Sequence, residues 1–446
     1  MDNSARTVTT RRFDTPIGEV DALVDGDVAR AYGIRYARAG RFEAPVTEPV
    51  AREPIEARRP APACIQVVDP PPGVLRVDGL AGLDQSEDCL RVTVTTPADV
   101  ADDEGLPVVV WIHGGAYRNG AADSGLYDPA ALVREHRVVV VSVGYRLGVL
   151  GYLSGESRPA NLGLLDQREA LGWVQRAIVG FGGDPECVTV MGESAGADAI
   201  AHLMVSDGVL DTDRRLFRRA ILQSAPLGTT RGRRRMRDLQ ATVLAEIDDA
   251  GALPDLTAWD ARVAASGRAA GLAGMMPYGV QYDEQPLPSV DEADRRWREV
   301  APYVDLLAGT NEREVALYRD VPPFPSLERI PALGPAVIEI LVRTLTAAVF
   351  TRPTAAFVRR HQRSGGRARR YVFHGGVRGN PLRGAHAAEL PYLFSGSAWS
   401  PSSLLDGTSP ERVDQLGKGM RAMWAHFART GVADDGPTRA LLRLVG

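Results

Sequence analysis

Ser194 lies in Gly192-Glu193-Ser194-Ala195-Gly196, a G-x-S-x-G arrangement. A serine hydroxyl is a weak nucleophile until a neighbouring base takes its proton. This spacing suits it to that task. A sharp strand-to-helix turn lifts the oxygen to the end of a sheet, and small flanking residues let the strained chain pass close to its neighbours. The apolar run 188–191 enters the motif as a predicted strand, and residues 195–205 leave it as a predicted helix. A bare G-x-S-x-G arises by chance; the strand and helix around this one give it weight. The second signal is Trp111-Ile112-His113-Gly114-Gly115-Ala116-Tyr117, which follows another buried strand. Alone it could be a plain glycine turn. Beside the first motif it reads as a loop whose backbone N–H groups turn toward a developing negative oxygen, each worth about 2.7–4 kcal/mol in the transition state.

An activated serine needs a base, and the chain has seven histidines. His113 belongs to the glycine loop and reads as structural. His136, His202, His361 and His426 lie in helical or polar segments and read as surface or satisfied side chains. His386 follows the last clear strand in Arg383-Gly384-Ala385-His386-Ala387-Ala388-Glu389-Leu390-Pro391-Tyr392, with His374, at a strand end, as its rival. In the chain order serine, acid, histidine, the acid falls between 194 and 386 at the end of a strand. Glu312 and Glu314 both follow the strand 304–308, and the residues alone leave the choice between them open.

The elements that must position these residues are legible from residue 106 onward. Compact apolar runs at 108–112, 138–143, 188–191, 220–223, 304–308 and 371–373 are bounded by glycine, polar or turn residues. Strands covered on both faces have this look. Helical periodicity covers 163–178 and 410–429, the latter with Ser409 as N-cap and Pro410 as first residue. The alternation predicts an α/β fold: a mainly parallel central sheet with helices on both faces. Residues 1–105 read as short strands and turns, and 230–300 as a helical, polar insertion within one domain spanning 1–446.

The bulk numbers fit that class. The 446 residues are 44% hydrophobic and 24% charged, with a formal net charge of −4. So small a charge gives no reason to expect a nucleic-acid partner. The single lysine, Lys418, among 52 basic residues reads as a GC-rich coding genome, and the run Arg233 to Arg235 as a solvated helix face. Residues 1–12 are polar, and the longest apolar run has strand length, so a cytoplasmic protein with no membrane partner is expected. Three cysteines, without a C-x-x-C pair or an H-E-x-x-H helix, predict neither a disulfide scaffold nor a metal site. Oligomeric state leaves no mark on the sequence.

Together these motifs resemble the type-B carboxylesterase family, which includes the cholinesterases and bacterial p-nitrobenzyl esterases. The likeness covers nearly the whole chain. It rests on Phe181-Gly182-Gly183-Asp184-Pro185 ahead of the elbow, Ser86-Glu87-Asp88-Cys89-Leu90, Tyr145-Arg146-Leu147-Gly148, Asn161-Leu162-Gly163-Leu164-Leu165-Asp166-Gln167, Ala220-Ile221-Leu222-Gln223-Ser224 and the His386 loop. The resemblance implies an α/β-hydrolase fold with Ser194 as nucleophile, Glu314 as acid and His386 as base. It implies an oxyanion hole from the N–H groups of Gly115, Ala116 and Ala195, and Ser224 as support for the acid. It sets Cys64 beside Cys89 as a pair able to bridge, their oxidation state open. It makes Arg41 with Glu87, and Arg146 with Asp166, structural ion pairs. The chain departs from the family at Gly144, where Asn is usual, at Ala225, where Gly is usual, and at Asp198 and Ala199, where a small residue and then Ser are usual. The stretch before Arg41, the interval from Glu314 to His386 and the C-terminus are shortened.

The expected reaction is cofactor-free hydrolysis of a small carboxylic ester through an acyl-enzyme on Ser194. Two alternatives use the same features differently. In an acyl transferase or biosynthetic tailoring enzyme, an alcohol or amine resolves the acyl-enzyme. A binding module would keep the fold without catalysis, against which the intact Ser194, Glu314 and His386 stand.

Overall fold

The computed structural model describes residues 9–67, 75–155, 158–211, 215–229, 233–244, 253–267, 270, 274, 276–322, 324–331, 333–434 and 436–445. Parts of the predicted N-terminal segment, the 230–300 insertion and the elements around them lie outside these residues.

The chain opens with β1 (Thr9–Thr15), β2 (Gly18–Asp25) and β3 (Val28–Arg35), an antiparallel meander. Two residues join each pair, a link short enough only for antiparallel neighbours. Two short strands, β4 (Ala37–Arg38) and β5 (Val46–Thr47), pair with each other, while β6 (Ile55–Ala57) lies parallel to β2. Then follow β7 (Arg91–Pro97), β8 (Leu106–Ile112), β9 (Val139–Val143), β10 (Gly183–Glu193), β11 (Arg219–Gln223), β12 (Asp305–Asn311), β13 (Ala368–Phe373) and β14 (Leu442–Val445). The main sheet runs β1-β2-β3-β7-β9-β8-β10-β11-β12-β13-β14. From β9 to β13 every neighbouring pair is parallel. The outer pairs are antiparallel. The sheet is therefore mixed, with the expected parallel order confined to its centre.

Every residue of β8 and β9 is buried, which is why both read as unbroken apolar runs. Alternate residues of β8 serve opposite faces. Val108, Val110 and Ile112 pack with Leu171, Trp173 and Val174 of the helix Leu162–Ala177. Val109 and Trp111 pack into a second core with Met420, Trp424 and Phe427 of the helix Pro410–Thr430. Ser409 caps that helix by accepting from the Arg412 N–H, Pro410 opens it, and Gly431 ends it in the left-handed region.

Between β11 and β12 the described residues form helices Arg233–Leu244, Leu253–Gly267 and Val290–Val300 and no strand. Arg233 corrects the expectation of a solvated face. Its Nη1 turns inward and donates to the carbonyls of Met276 (2.6 Å) and Tyr278 (2.8 Å). The side chains of Arg234 and Arg235 lie outside the described residues. The helical run Gly334–Arg363 is long and apolar enough by length and composition to cross a membrane. One face of it, with Ile338, Val342, Val349 and Phe350, packs into the second core.

The two ion pairs are present. Asp166 is fully buried and takes both Nε (2.9 Å) and Nη2 (2.7 Å) of Arg146. Arg41 Nε donates to Glu87 at 2.9 Å. Cys64 and Cys89 are buried free thiols, and the neighbouring Cys64 together with burial pushes the Cys89 thiol up. Cys187 is also a free thiol.

Candidate active site

Five adjacent parallel strands, β8, β10, β11, β12 and β13, deliver the candidate residues beyond their carboxyl ends, where open α/β sheets hold their ligands. β10 runs directly into Ser194, which has φ 53° and ψ −122° and is partly exposed. The Ser194 N–H donates to the Gln223 carbonyl at 2.8 Å, tying the elbow to β11. The flanking glycines are dictated by contact. A Cβ on Gly196 would lie 2.0 Å from the Ile112 carbonyl oxygen, and one on Gly192 would lie 2.7 Å from the Gly196 carbonyl carbon. A Cβ on Gly114 would come 3.0 Å from that of Ser194, so the loop after β8 packs directly on the serine.

His386 meets Ser194 and Glu314 in one relay. Nε2 lies 2.9 Å from Ser194 Oγ, and Nδ1 lies 2.7 Å from Glu314 Oε2. The His386 backbone N–H also donates to the Glu314 carbonyl at 3.0 Å. Glu314 is fully buried after β12, whereas Glu312 is exposed. His374 closes β13 with its backbone N–H on the Leu441 carbonyl and is not part of the relay. His113 bonds the Gly114 carbonyl, and its burial lowers it to about 4, a neutral ring at neutral pH.

Ser224 corrects the role given to it. Its Oγ is buried with no hydrogen-bond partner among the described residues. Oε1 of Glu314 instead accepts the Asn311 backbone N–H at 2.6 Å. The strand end itself supports the acid, because a turn from Asn311 to Glu314 brings the carboxylate back onto the last free N–H of β12.

Gly115, Ala116 and Tyr117 all have positive φ, at 114°, 55° and 59°. Gly115 and Ala116 are partly open, as Ser194 is. Ala195 opens the helix Ala195–Leu203, whose first N–H groups have no partner within the helix. The two segments flanking Ser194 thus carry the N–H groups expected to receive an oxyanion.

Three further buried side chains, absent from the residues expected at the site, complete the surroundings. Glu193 Oε1 lies 3.1 Å from His386 Nε2. Glu389 accepts from Asn311 Nδ2 at 2.5 Å and Gln223 Nε2 at 3.3 Å. Phe350 sets its ring 5.2 Å from the His386 ring. Glu193 and Glu389 stand inside the two motifs, and an acid in an otherwise apolar motif was the signal available. Phe350 arrives from a distant helix and left none. Burial opposes a charged His386, but Glu193 and Glu314 outweigh it and raise the ring to about 9. Burial raises Glu193 to about 8, countered by His386 and reinforced by Glu389 and Glu314. No cluster of three or more metal-ligating side chains occurs among the described residues.

The carboxylesterase family profile matches residues 18–321. The chain is 36% identical over 434 residues to the "Probable N-octanoylanthranilate hydrolase" of Rhodococcus erythropolis, covering 94% of this chain and 93% of that protein. It is 31% identical over 456 residues to the para-nitrobenzyl esterase of Bacillus subtilis, covering 95% and 91%. A solved PNB esterase matches with a TM-score of 0.76 at 29% identity, covering 95% of this chain and 91% of the other. On these grounds the chain belongs to the carboxylesterase family and is a carboxylic-ester hydrolase with an α/β-hydrolase fold.

Proposed function

We propose that this hydrolase cleaves small carboxylic esters through an acyl-enzyme on Ser194. His386 takes the Ser194 proton through Nε2 as the oxygen attacks the ester carbonyl. Glu314 holds Nδ1–H and stabilises the imidazolium that forms. The N–H groups of Gly115, Ala116 and Ala195 receive the tetrahedral oxyanion. The imidazolium gives its proton to the departing alcohol. His386 then activates a water that releases the acid and restores Ser194. These steps call for no cofactor.

The observation that carries the reading is the unbroken relay: Ser194 Oγ to His386 at 2.9 Å and His386 to Glu314 at 2.7 Å. The two named relatives are called a probable N-octanoylanthranilate hydrolase, whose named substrate is an N-acyl amide of an aromatic amine, and a para-nitrobenzyl esterase. An aromatic leaving group with a medium acyl chain is therefore the first substrate class to try. Turnover of p-nitrophenyl esters of rising acyl length, with a competing alcohol present, tests the assignment. Hydrolysis that dominates until the alcohol is in large excess is the expected result. Near-complete transfer to dilute alcohol would make the chain an acyl transferase instead.

A further inference from the structure

Asp198 and Tyr117 form a second link between the serine segment and the glycine loop. Asp198 sits one turn after Ser194 on the helix Ala195–Leu203, and its N–H donates to the Ser194 carbonyl at 2.9 Å. Its Oδ2 accepts the Tyr117 hydroxyl at 2.8 Å. Tyr117 ends the run of positive-φ residues that carries Gly115 and Ala116. Its carbonyl accepts from the Gly148 N–H at 2.7 Å, and its ring packs 4.3 Å from that of Tyr152. Both residues are buried, at 0% exposure for Tyr117 and 1% for Asp198.

Two features make this link more than packing. Non-glycine residues in the left-handed region are strained and persist only where their surroundings over-determine them. Ala116 and Tyr117 are two such residues in succession, so the loop needs an anchor. A buried tyrosine hydroxyl also needs a partner, and Asp198 supplies it. The carboxylate has its own support. His202 Nε2 lies 3.6 Å from the same Oδ2, while His202 Nδ1 bonds the Tyr282 hydroxyl at 3.0 Å. Burial opposes ionisation of Asp198, yet His202, Arg233 and the Tyr117 hydrogen bond together lower it.

We propose that Asp198 is a positioning residue which, through the Tyr117 hydroxyl, holds the Gly115 and Ala116 N–H groups against Ser194. The inference rests on the oxyanion role assigned to that loop. Asp198 touches no reacting atom. Its loss misplaces donors that matter in the transition state rather than in substrate binding.

The test compares Tyr117→Phe, Asp198→Ala, Asp198→Asn and the double variant Tyr117→Phe/Asp198→Ala with wild type and Ser194→Ala, using one p-nitrophenyl ester. Removing one oxyanion donor costs about 10²–10³ in kcat, so misplacing donors should cost about 10–100-fold with KM nearly unchanged. Asp198→Asn keeps an acceptor for Tyr117 and restores most of the rate. The double variant loses no more than the worse single variant. Affinity for a trifluoromethyl ketone, which adds Ser194 to form an oxyanion, falls by the same factor as kcat/KM. Should Asp198→Ala fail to fold, Tyr117→Phe, which removes one oxygen, decides the matter. Wild-type kcat and ketone affinity in Tyr117→Phe would overturn the proposal while an inactive Ser194→Ala left the acyl-enzyme reading standing. A fully active Ser194→Ala would overturn both.

Discussion

Glu314 presents one oxygen to His386 and the other to the Asn311 N–H, so both oxygens of the carboxylate are engaged. In Glu314→Gln the Asn311 N–H would keep the amide oxygen, leaving the NH2 group facing His386 Nδ1. The ring would then carry its proton on Nε2, and it could no longer accept one from Ser194. We expect kcat to fall by about 10³–10⁴-fold, as when a triad acid becomes an amide. Glu312 is exposed, and Glu312→Gln should leave kcat within about twofold. A large loss confined to Glu312→Gln would contradict the assignment. The choice between the two acids was legible only through family resemblance, because two carboxylates two residues apart past a strand end carry no periodicity to separate them. The carboxylate's support was not legible. The Asn311 donor is a backbone N–H, which every non-proline residue possesses, whereas Ser224 offered a conspicuous side chain that proves to bond nothing described.

The elbow is a contact between elements as well as a motif. The helix Ala195–Leu203 approaches the end of β8 so closely that a Cβ at Gly196 would sit 2.0 Å from the Ile112 carbonyl oxygen. Backbone cannot swing aside as a side chain can, so Gly196→Ala must push the helix off β8 and carry Ser194 with it. Such overpacking costs about 1–3 kcal/mol or more. Thermal unfolding should show a clearly lowered melting temperature, and covalent labelling of Ser194 should collapse in the fraction that stays folded. A variant with wild-type melting and labelling would show that the helix does not rest on β8. The central strands were readable because burial on both faces turns each into an apolar run. The run Gly334–Arg363 was not. Its apolar pattern is crossed by Glu339 and Arg343, and Pro353 reads as a stop. In the structure a π-helical turn, Ala347–Thr351, precedes that proline and brings Phe350 to His386. Tertiary packing, not local pattern, sets that geometry.

Across the whole molecule, Tyr36, Tyr117, Tyr145, Tyr152, Tyr278 and Tyr371 are buried, and burial raises each well above 10. The unfolded chain ionises them near pH 10 while the folded chain keeps them neutral. Above that pH the folded state binds more protons than the unfolded state, so stability is intact below pH 10 and is lost as pH rises beyond it. Each tyrosine contributes about 1.4 kcal/mol per pH unit to that loss. Absorbance at 295 nm should show an early rise from exposed tyrosines such as Tyr303 and then these six titrating together with unfolding, as one cooperative step; gradual titration of the buried six in a still-folded protein would contradict it. The fold's purpose, on this account, is to present one serine to one histidine, and covalent chemistry at Ser194 is the most direct check. Mass spectrometry after a brief reaction with a fluorophosphonate should find a single adduct, on the peptide containing Ser194, with ester turnover lost in step. Ser194→Ala should lose adduct and turnover together. An adduct on another residue, or near wild-type turnover in Ser194→Ala, would contradict the account.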